Sequence, residues 1–101
     1  VSLVVGTHSH VPTADAQLLP GGTAYQTDAG MCGDYDSVIG MKKEIAVARF
    51  VRKLPGERLE PGAGEGTLCG VFVETDDRSG LAKSVQPVRL GGRLAPALPV
   101  L

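Results

Sequence analysis

The sequence is poor in the residues that usually fill a protein interior, and it carries no excess charge. It has no tryptophan, and aromatic residues make up 4% of its 101 residues. A single domain of this size with so few aromatic side chains has little large apolar surface to bury. Its 10 Lys and Arg residues are balanced by 11 Asp and Glu. That balance excludes a strongly basic surface that binds nucleic acid by counterion release, and we expect no sequence-specific binding to nucleic acid.

Signals for membranes and for secretion are also missing from these residues. The apolar run Ile45–Ala48 is closed by Arg49, and a membrane-spanning helix needs roughly 18 apolar residues. No charged segment followed by an apolar core marks a signal peptide. We therefore expect no membrane association and a cytoplasmic location. Cys32 and Cys69 could form one disulfide, but nothing indicates export, and we expect two reduced, half-buried thiols.

The first residues read as a strand inside a sheet. Val1–Gly6 is a short, β-branched apolar run without alternation of polar and apolar residues. Such a run is typical of a central strand that is covered on both faces. Because a central strand needs neighbours on both sides, we expect the chain to be the tail of a larger domain. The alternative is a small processed protein whose first strand lies at a sheet edge.

The rest of the chain predicts two hairpins, one irregular loop and a tail. Turn-forming residues separate Ala16–Leu19 from Thr23–Thr27, and others separate Thr67–Thr75 from Leu81–Leu90. Between the hairpins, residues 28–35 hold two Gly and two Asp, which favours an irregular, surface-facing loop. Residues 91–101 form a tail rich in Pro and Gly, for which we expect weak structure.

One helix is predicted before the second hairpin. Asp36 and Ser37 are both suitable N-caps, and Pro55-Gly56 would stop the helix after Leu54. Apolar residues recur at helical spacing and form one stripe, which comprises Val47, Phe50, Val51 and Leu54. The sequence therefore predicts a helix from Asp36 or Ser37 to Leu54.

The histidines carry the clearest chemical signal. His8 and His10 lie two positions apart, just after the first strand. In extended backbone, residues two apart point the same way, so both imidazoles could bind one metal ion or two adjacent ions. Solvated loop histidines are the plainer interpretation of the same pair.

Two imidazoles do not complete a catalytic metal site, for which three protein ligands and an open position are usual. Four carboxylates are candidate oxygen ligands: Asp15, Asp28, Asp34 and Asp36. Each also fits an ordinary turn or cap role. Cys32 is a candidate third ligand or nucleophile, but no histidine lies near it in sequence.

The ordered motifs resemble the YmdB-like family, a bacterial branch of the calcineurin-like metallophosphoesterases. The segment Gly6-Thr7-His8-Ser9-His10-Val11-Pro12-Thr13-Ala14-Asp15 is similar to the family's GTHTHV-x-TAD segment. The similarity continues in four further segments, in order 19–25, 27–31, 35–36 with 39–41, and 67–71. The family segment has Thr where this chain has Ser9, a change that lies between the histidines and removes no ligand.

The resemblance implies a fold and a metal site. The fold is mixed α/β, an αββα metallophosphoesterase sandwich. Residues 1–90 would form its C-terminal part, with two hairpins and one outer helix, and residues 91–101 would form the tail. By the same motif, His8 and His10 are metal ligands, one for each of two divalent ions of Fe, Mn, Zn or Mg. The implied substrate is a small phosphodiester or nucleotide such as a 2′,3′-cyclic nucleotide. Homo-oligomerisation stays open.

The family's other ligands have no counterpart in these residues. They are an Asp, a Glu-Asn pair, an Asn-His pair whose His acts as the acid, and a further His. We therefore expect the isolated 101 residues to bind metal poorly and to hydrolyse nothing, and we assign no catalytic residue within them. The competing hypotheses are a stand-alone, non-catalytic β-rich binding or scaffold module and, less favoured, a small thiol-dependent protein that uses Cys32.

Overall fold

The fold is mixed α/β, as predicted, with two small sheets and one helix. It is given by a computed structural model that describes residues 1–52 and 58–101. The elements in those residues are β1 (Leu3–Val5), β2 (Gln17–Leu18), β3 (Ala24–Gln26), β4 (Gly33–Asp34), α1 (Lys43–Arg52), β5 (Gly66–Thr75) and β6 (Ala82–Leu90). The sheets have the strand orders β1-β3-β2 and β4-β5-β6.

The first sheet brings two strand ends to one edge. β1 runs parallel to β3, with Leu3 opposite Ala24 and Val5 opposite Gln26. Because parallel strands end at the same edge of a sheet, the residues after β1 and after β3 are neighbours. The expectation of a central strand, whose second neighbour would come from the rest of a larger domain, stays a prediction. Within the described residues β1 is an edge strand paired with β3 alone, and its three side chains are 37–47% exposed.

The first predicted hairpin is confirmed. β2 and β3 pair antiparallel, with Gln17 opposite Tyr25. The amide of Gly22 donates to the carbonyl of Leu19 at 2.9 Å, which closes the turn, and Gly22 has φ +88°. A left-handed conformation of this kind is cheap only for glycine.

The second predicted hairpin is also confirmed, and it is the longest regular element. β5 and β6 pair antiparallel from Leu68–Leu90 to Thr75–Ala82, with an irregularity at Glu74/Thr75. The amide of Asp76 donates to the carbonyl of Leu81 at 2.8 Å and closes the turn. β4 joins the other edge of β5.

The tail contains no helix or strand within 91–101, yet it contacts β6. The amide of Arg89 donates to the carbonyl of Ala97 at 2.8 Å, and the amide of Ala97 returns a bond of 2.9 Å. Further along, the amide of Val100 donates to Oε1 of Gln86 at 2.9 Å. The tail is therefore more ordered than its composition indicates, because backbone pairing does not depend on apolar side chains.

The helix begins later than predicted. α1 starts at Lys43, and the proposed cap Ser37 closes a turn instead, since its hydroxyl accepts the amide of Gly40 at 2.9 Å. Positive φ angles at Ile39 and Gly40 prevent a helix from continuing through this turn. Side chains that cap helices also stabilise turns, so the residue type alone does not separate the two. The predicted helix end, Leu54 with Pro55-Gly56, lies outside the described residues.

The loop 28–35 is not the surface loop that its composition favours. Asp28 is 1% exposed, Gly30 is buried, and residues 33–34 form β4. A Cβ on Gly30 would lie 2.9 Å from the ring of Pro12 and from the hydroxyl of Tyr35. The loop packs inside because Gly30 has no side chain and has φ +90°.

The interior is small, as the shortage of aromatic residues predicts, and it includes polar side chains. The largest fully buried side chains are Gln26, Thr67 and Asp28, and the buried apolar residues are Ala24, Cys69 and Ala82. In contrast, the part of the apolar stripe that lies within α1 is open to solvent: Val47, Phe50 and Val51 are 53%, 84% and 70% exposed. No helix in the described residues is long and apolar enough to cross a membrane.

Candidate metal-binding loop

The candidate site is the histidine loop, defined as residues 6–11 that follow β1. The loop begins at Gly6. The backbone of Thr27 lies so close to Gly6 that a Cβ at this position would collide with the Thr27 carbonyl. The carbonyl of Gly6 accepts the amide of Ala29 at 2.9 Å. The loop is therefore attached from its first residue to the segment that follows β3.

Asp28 holds the middle of the histidine loop. Its Oδ2 accepts both the amide and the hydroxyl of Ser9, the hydroxyl at 2.8 Å. Its Oδ1 accepts the amide of Gly30 at 2.8 Å. Burial raises the pKa of Asp28. The hydrogen bonds from Gly30 and Ser9 and the charge of His10 lower it, and together they hold the pKa below its ordinary value. A buried ionised carboxylate with three donors is a fixed anchor for the loop.

This anchor explains why Ser9 can replace the threonine of the resembled motif. The contact with Asp28 uses the backbone amide and the side-chain hydroxyl of residue 9. A threonine carries both groups, so either residue can make the same pair of bonds.

The two histidines do not lie on an extended strand. The prediction that both imidazoles point the same way assumed extended backbone at residues 8–10, and that assumption is wrong. Residues 8–10 form a bend, and His10 has φ +68°. His8 is exposed and His10 is half-buried. Nδ1 of His10 lies 2.9 Å from the carbonyl oxygen of Ile39. Nε2 of the same ring takes no part in this contact.

A second carboxylate, Asp15, binds Thr13 and Thr27 at the same edge. Its Oδ1 accepts the hydroxyl of Thr13 at 2.6 Å and the amide of Thr27 at 3.1 Å, and its Oδ2 accepts the hydroxyl of Thr27. The hydroxyls of Thr13 and Thr27 lower the pKa of Asp15 to about 2. These donors occupy the carboxylate, which makes Asp15 a structural clasp between the two hydroxyl residues.

Asp34 and Asp36 are directed to other partners. Asp34 accepts the amides of Asp36 at 2.8 Å and of Gly64 at 3.0 Å, which is a turn role as interpreted from the sequence. Asp36 pairs with Lys43 at 2.7 Å, and the hydrogen bond from Lys43 lowers the pKa of Asp36. It does not cap α1, contrary to the prediction.

Cys32 faces β5. Its thiol lies 3.3 Å from the carbonyl oxygen of Cys69 and 3.4 Å from the amide nitrogen of Cys69. Both thiols are free, with Cys32 exposed and Cys69 buried. Burial, reinforced by the Cys69 thiol, raises the pKa of Tyr35, whose protonated hydroxyl donates to the carbonyl of Met31 at 2.8 Å. These contacts belong to packing between the loop and β5.

Sequence reasoning missed two supports of the loop, the Asp28 carboxylate and the Ile39 carbonyl. The sequence named Asp28 only as a candidate ligand or turn residue, because its contact with Ser9 depends on the parallel pairing of β1 with β3. Ile39 had no signal in the sequence, because any residue supplies a carbonyl.

A model of the YmdB-like proteins matches residues 1–88. The chain belongs to the YmdB-like family. It is 46% identical, over 86% of its length, to a 2′,3′-cyclic-nucleotide 2′-phosphodiesterase of Bacillus subtilis.

Two solved structures with this fold are similar to the YmdB-like chain throughout most of its length. One is a novel phosphatase from Mycoplasma pneumoniae, with a TM-score of 0.83 and 37% identity over 90% of this chain and 32% of that chain. The other is a hypothetical protein from Thermus thermophilus, with a TM-score of 0.81 and 37% identity over 91% of this chain and 35% of that chain. The chain spans about a third of the length of the relatives that it matches.

The two imidazoles fit a metal site as partial ligands. Imidazole nitrogens bind Zn, Fe and related ions, and a ring that is anchored through Nδ1 presents Nε2. Within residues 1–52 and 58–101, no group of three or more His, Cys, Asp or Glu side chains is arranged to hold a metal ion. The donor set of the described residues is thus compatible with ligands contributed to a shared centre.

Proposed function

We propose that this chain supplies two metal ligands, His8 and His10, to a dinuclear, calcineurin-like phosphodiesterase. The proposed enzyme is a hydrolase whose substrates are small phosphodiesters or nucleotides such as 2′,3′-cyclic nucleotides. The observation that carries the proposal is the anchored histidine loop, in which Asp28 binds Ser9 between the two imidazoles. The name of the Bacillus subtilis relative supports the substrate class.

The role of this chain in the reaction is to hold two imidazoles. Two divalent ions, of Fe, Mn, Zn or Mg, supply when bound Lewis-acid polarisation of a phosphoryl oxygen and activation of the attacking oxygen. His8 would bind one ion and His10 the other. Asp28 keeps both residues in one loop conformation through Ser9, and a fixed loop lowers the cost of ordering ligands when an ion binds. The remaining ligands and the acid would come from residues other than these 101.

The proposal places the enzyme in the cytoplasm, away from membranes. Its partner would be the small phosphodiester alone, with no sequence-specific nucleic-acid target. By itself the 101-residue chain would hydrolyse nothing, since it lacks the acid and most ligands that the proposed centre requires.

The test compares variants of the full-length native protein loaded with Mn²⁺. Hydrolysis of a 2′,3′-cyclic nucleotide should fall by at least about 100-fold in His8→Ala and His10→Ala, because each removes one ligand of the centre. Lys83→Ala, an exposed change on β6, is the matched control and should keep full activity. Robust activity of the isolated 101 residues, or undiminished activity in both histidine variants, would contradict the proposal and favour a non-catalytic module.

A further inference from the structure

Two strained residues meet in one hydrogen bond. Among the described residues, His10 and Ile39 are the two non-glycine residues with positive φ, at 68° and 45°. Nδ1 of His10 lies 2.9 Å from the carbonyl oxygen of Ile39. The left-handed region is unfavourable for a β-branched residue such as isoleucine. Because both residues of one hydrogen bond adopt this conformation, we infer that the surrounding structure imposes it.

The residues before and after Ile39 are fixed by hydrogen bonds, and they fix the position of its carbonyl. Val38 and Met41 exchange two backbone hydrogen bonds of 2.9 Å, and the hydroxyl of Ser37 accepts the amide of Gly40 at 2.9 Å. The carbonyl of Gly40 accepts the amide of Gly62 at 2.7 Å. The turn therefore directs the Ile39 oxygen without using the isoleucine side chain, which is 55% exposed.

A carbonyl oxygen can only accept, so the contact decides which nitrogen of His10 carries the proton. In the neutral ring one nitrogen donates and the other has a lone pair. If Nδ1 donates to Ile39, the lone pair lies on Nε2. A nitrogen that carries a proton cannot bind a metal ion, and a ligating histidine is commonly oriented by a hydrogen bond from its other ring nitrogen.

We propose that Ile39 is a positioning residue, whose carbonyl keeps the proton of His10 on Nδ1 and presents Nε2 as the ligand atom. This inference rests on the proposed function for its purpose, but the tautomer can be measured without metal or substrate. It also assigns a task to the turn at residues 37–41, where the sequence predicted a helix.

The experiment is a long-range ¹H–¹⁵N spectrum of the metal-free, full-length native protein with ¹⁵N-labelled histidine. It is recorded at a pH where the spectrum itself shows neutral histidine rings, since only a neutral ring distinguishes the two tautomers. We expect His10 to carry its proton on Nδ1, with His8 as an internal reference in the same spectrum. A His10 ring protonated on Nε2, or a mixture of both tautomers, would overturn the inference whatever the activity of the enzyme.

Two substitutions at Ile39 sharpen this result. Ile39→Pro excludes a positive φ and should release the carbonyl, moving the proton of His10 away from Nδ1. Ile39→Gly permits the same φ and should leave the tautomer unchanged. Zn²⁺ affinity should fall by about 10- to 100-fold in Ile39→Pro and stay constant in Ile39→Gly.

The outcomes separate the inference from the proposed function. Should Ile39→Pro fail to fold, the spectrum of the unsubstituted protein still decides the tautomer. An Nδ1-protonated His10 in a protein that binds no Zn²⁺ or Mn²⁺ would remove the proposed function and leave the contact standing. An Nε2-protonated His10 in an active, metal-dependent enzyme would do the reverse.

Discussion

The histidine loop and the β5–β6 hairpin are stabilised by different kinds of interaction. The hairpin is a regular antiparallel ladder from Leu68–Leu90 to Thr75–Ala82, and its turn is closed within the same segment. The loop has no ladder, and it is anchored by the side chain of Asp28, which accepts the backbone amide and the hydroxyl of Ser9. We infer that the hairpin depends on local pairing, whereas the loop depends on a few polar contacts that single substitutions can remove.

Among the contacts that support the two regions, the largest effect is expected at the buried carboxylate. Asp28→Ala leaves the amides of Ser9 and Gly30 without their acceptor, and an unmet buried donor is costly. We expect metal affinity of the full-length native protein to fall by about 10- to 100-fold, as measured by Zn²⁺ titration.

Asp77→Ala, at an exposed acid in the turn of the hairpin, is the matched control for this change. It should bind Zn²⁺ as the unsubstituted protein does. Equal affinity in Asp28→Ala and Asp77→Ala would mean that the loop does not need its anchor.

A pair of glycine substitutions compares the two regions by stability. Gly30→Ala puts a Cβ 2.9 Å from the ring of Pro12 and from the hydroxyl of Tyr35, at φ +90°. Strain of this kind costs on the order of 1–3 kcal/mol, and urea unfolding should show it. Gly70→Ala on β5, where a Cβ meets nothing within 4 Å, should change the free energy of unfolding little. If both variants unfold alike, the packing of the 28–35 loop has been overestimated.

The pH dependence of stability should have a contribution from the Asp15 clasp. The pKa of Asp15 is about 2 in the folded protein, against an ordinary value of 3.8. A lowered folded pKa stabilises the protein above the unfolded pKa, and the contribution is lost as pH falls from about 4 towards 2. The free energy of unfolding in urea should therefore decrease over this range.

The control for that profile is Asp15→Asn, which keeps the shape of the side chain and does not titrate. Its stability should be lower at neutral pH and should fall less between the same limits. A profile parallel to that of the unsubstituted protein would assign the acid sensitivity to other carboxylates.

The smallest effect is expected at the surface ion pair beside α1. Lys43 and Asp36 are 2.7 Å apart, with side chains 48% and 43% exposed. Exposed pairs contribute little because solvent and salt screen them. The melting temperature of Lys43→Ala should match that of the unsubstituted protein within experimental error, and a large decrease would show that this pair also supports the turn before α1.

Local patterns in the sequence predicted the local parts of the fold. Both hairpins follow from apolar segments around Pro, Gly and Asp turns, as at Pro20 and Gly80. The small extent of the apolar interior follows from the shortage of aromatic residues. Membership of the YmdB-like family follows from the ordered motifs around His8 and His10, and the match over residues 1–88 confirms it. Their role as metal ligands stays a prediction.

The parts that could not be predicted depend on contacts between distant residues. The parallel pairing of β1 with β3 decides that Asp28 meets Ser9, and no local pattern reports it. Ser37 is a suitable helix cap, but its hydroxyl instead binds the amide of Gly40 in a turn that has a positive φ at Ile39. The polar residues of loop 28–35 predicted a surface position, whereas Asp28 is 1% exposed and accepts the amide of the buried Gly30.

The most direct test of the account is a calorimetric titration of the full-length native protein with Mn²⁺. The account predicts two bound ions, with one site lost or strongly weakened in His8→Ala and in His10→Ala, and with Lys83→Ala unchanged. Binding of both ions with unaltered affinity in the two histidine variants would contradict the claim that this loop carries metal ligands.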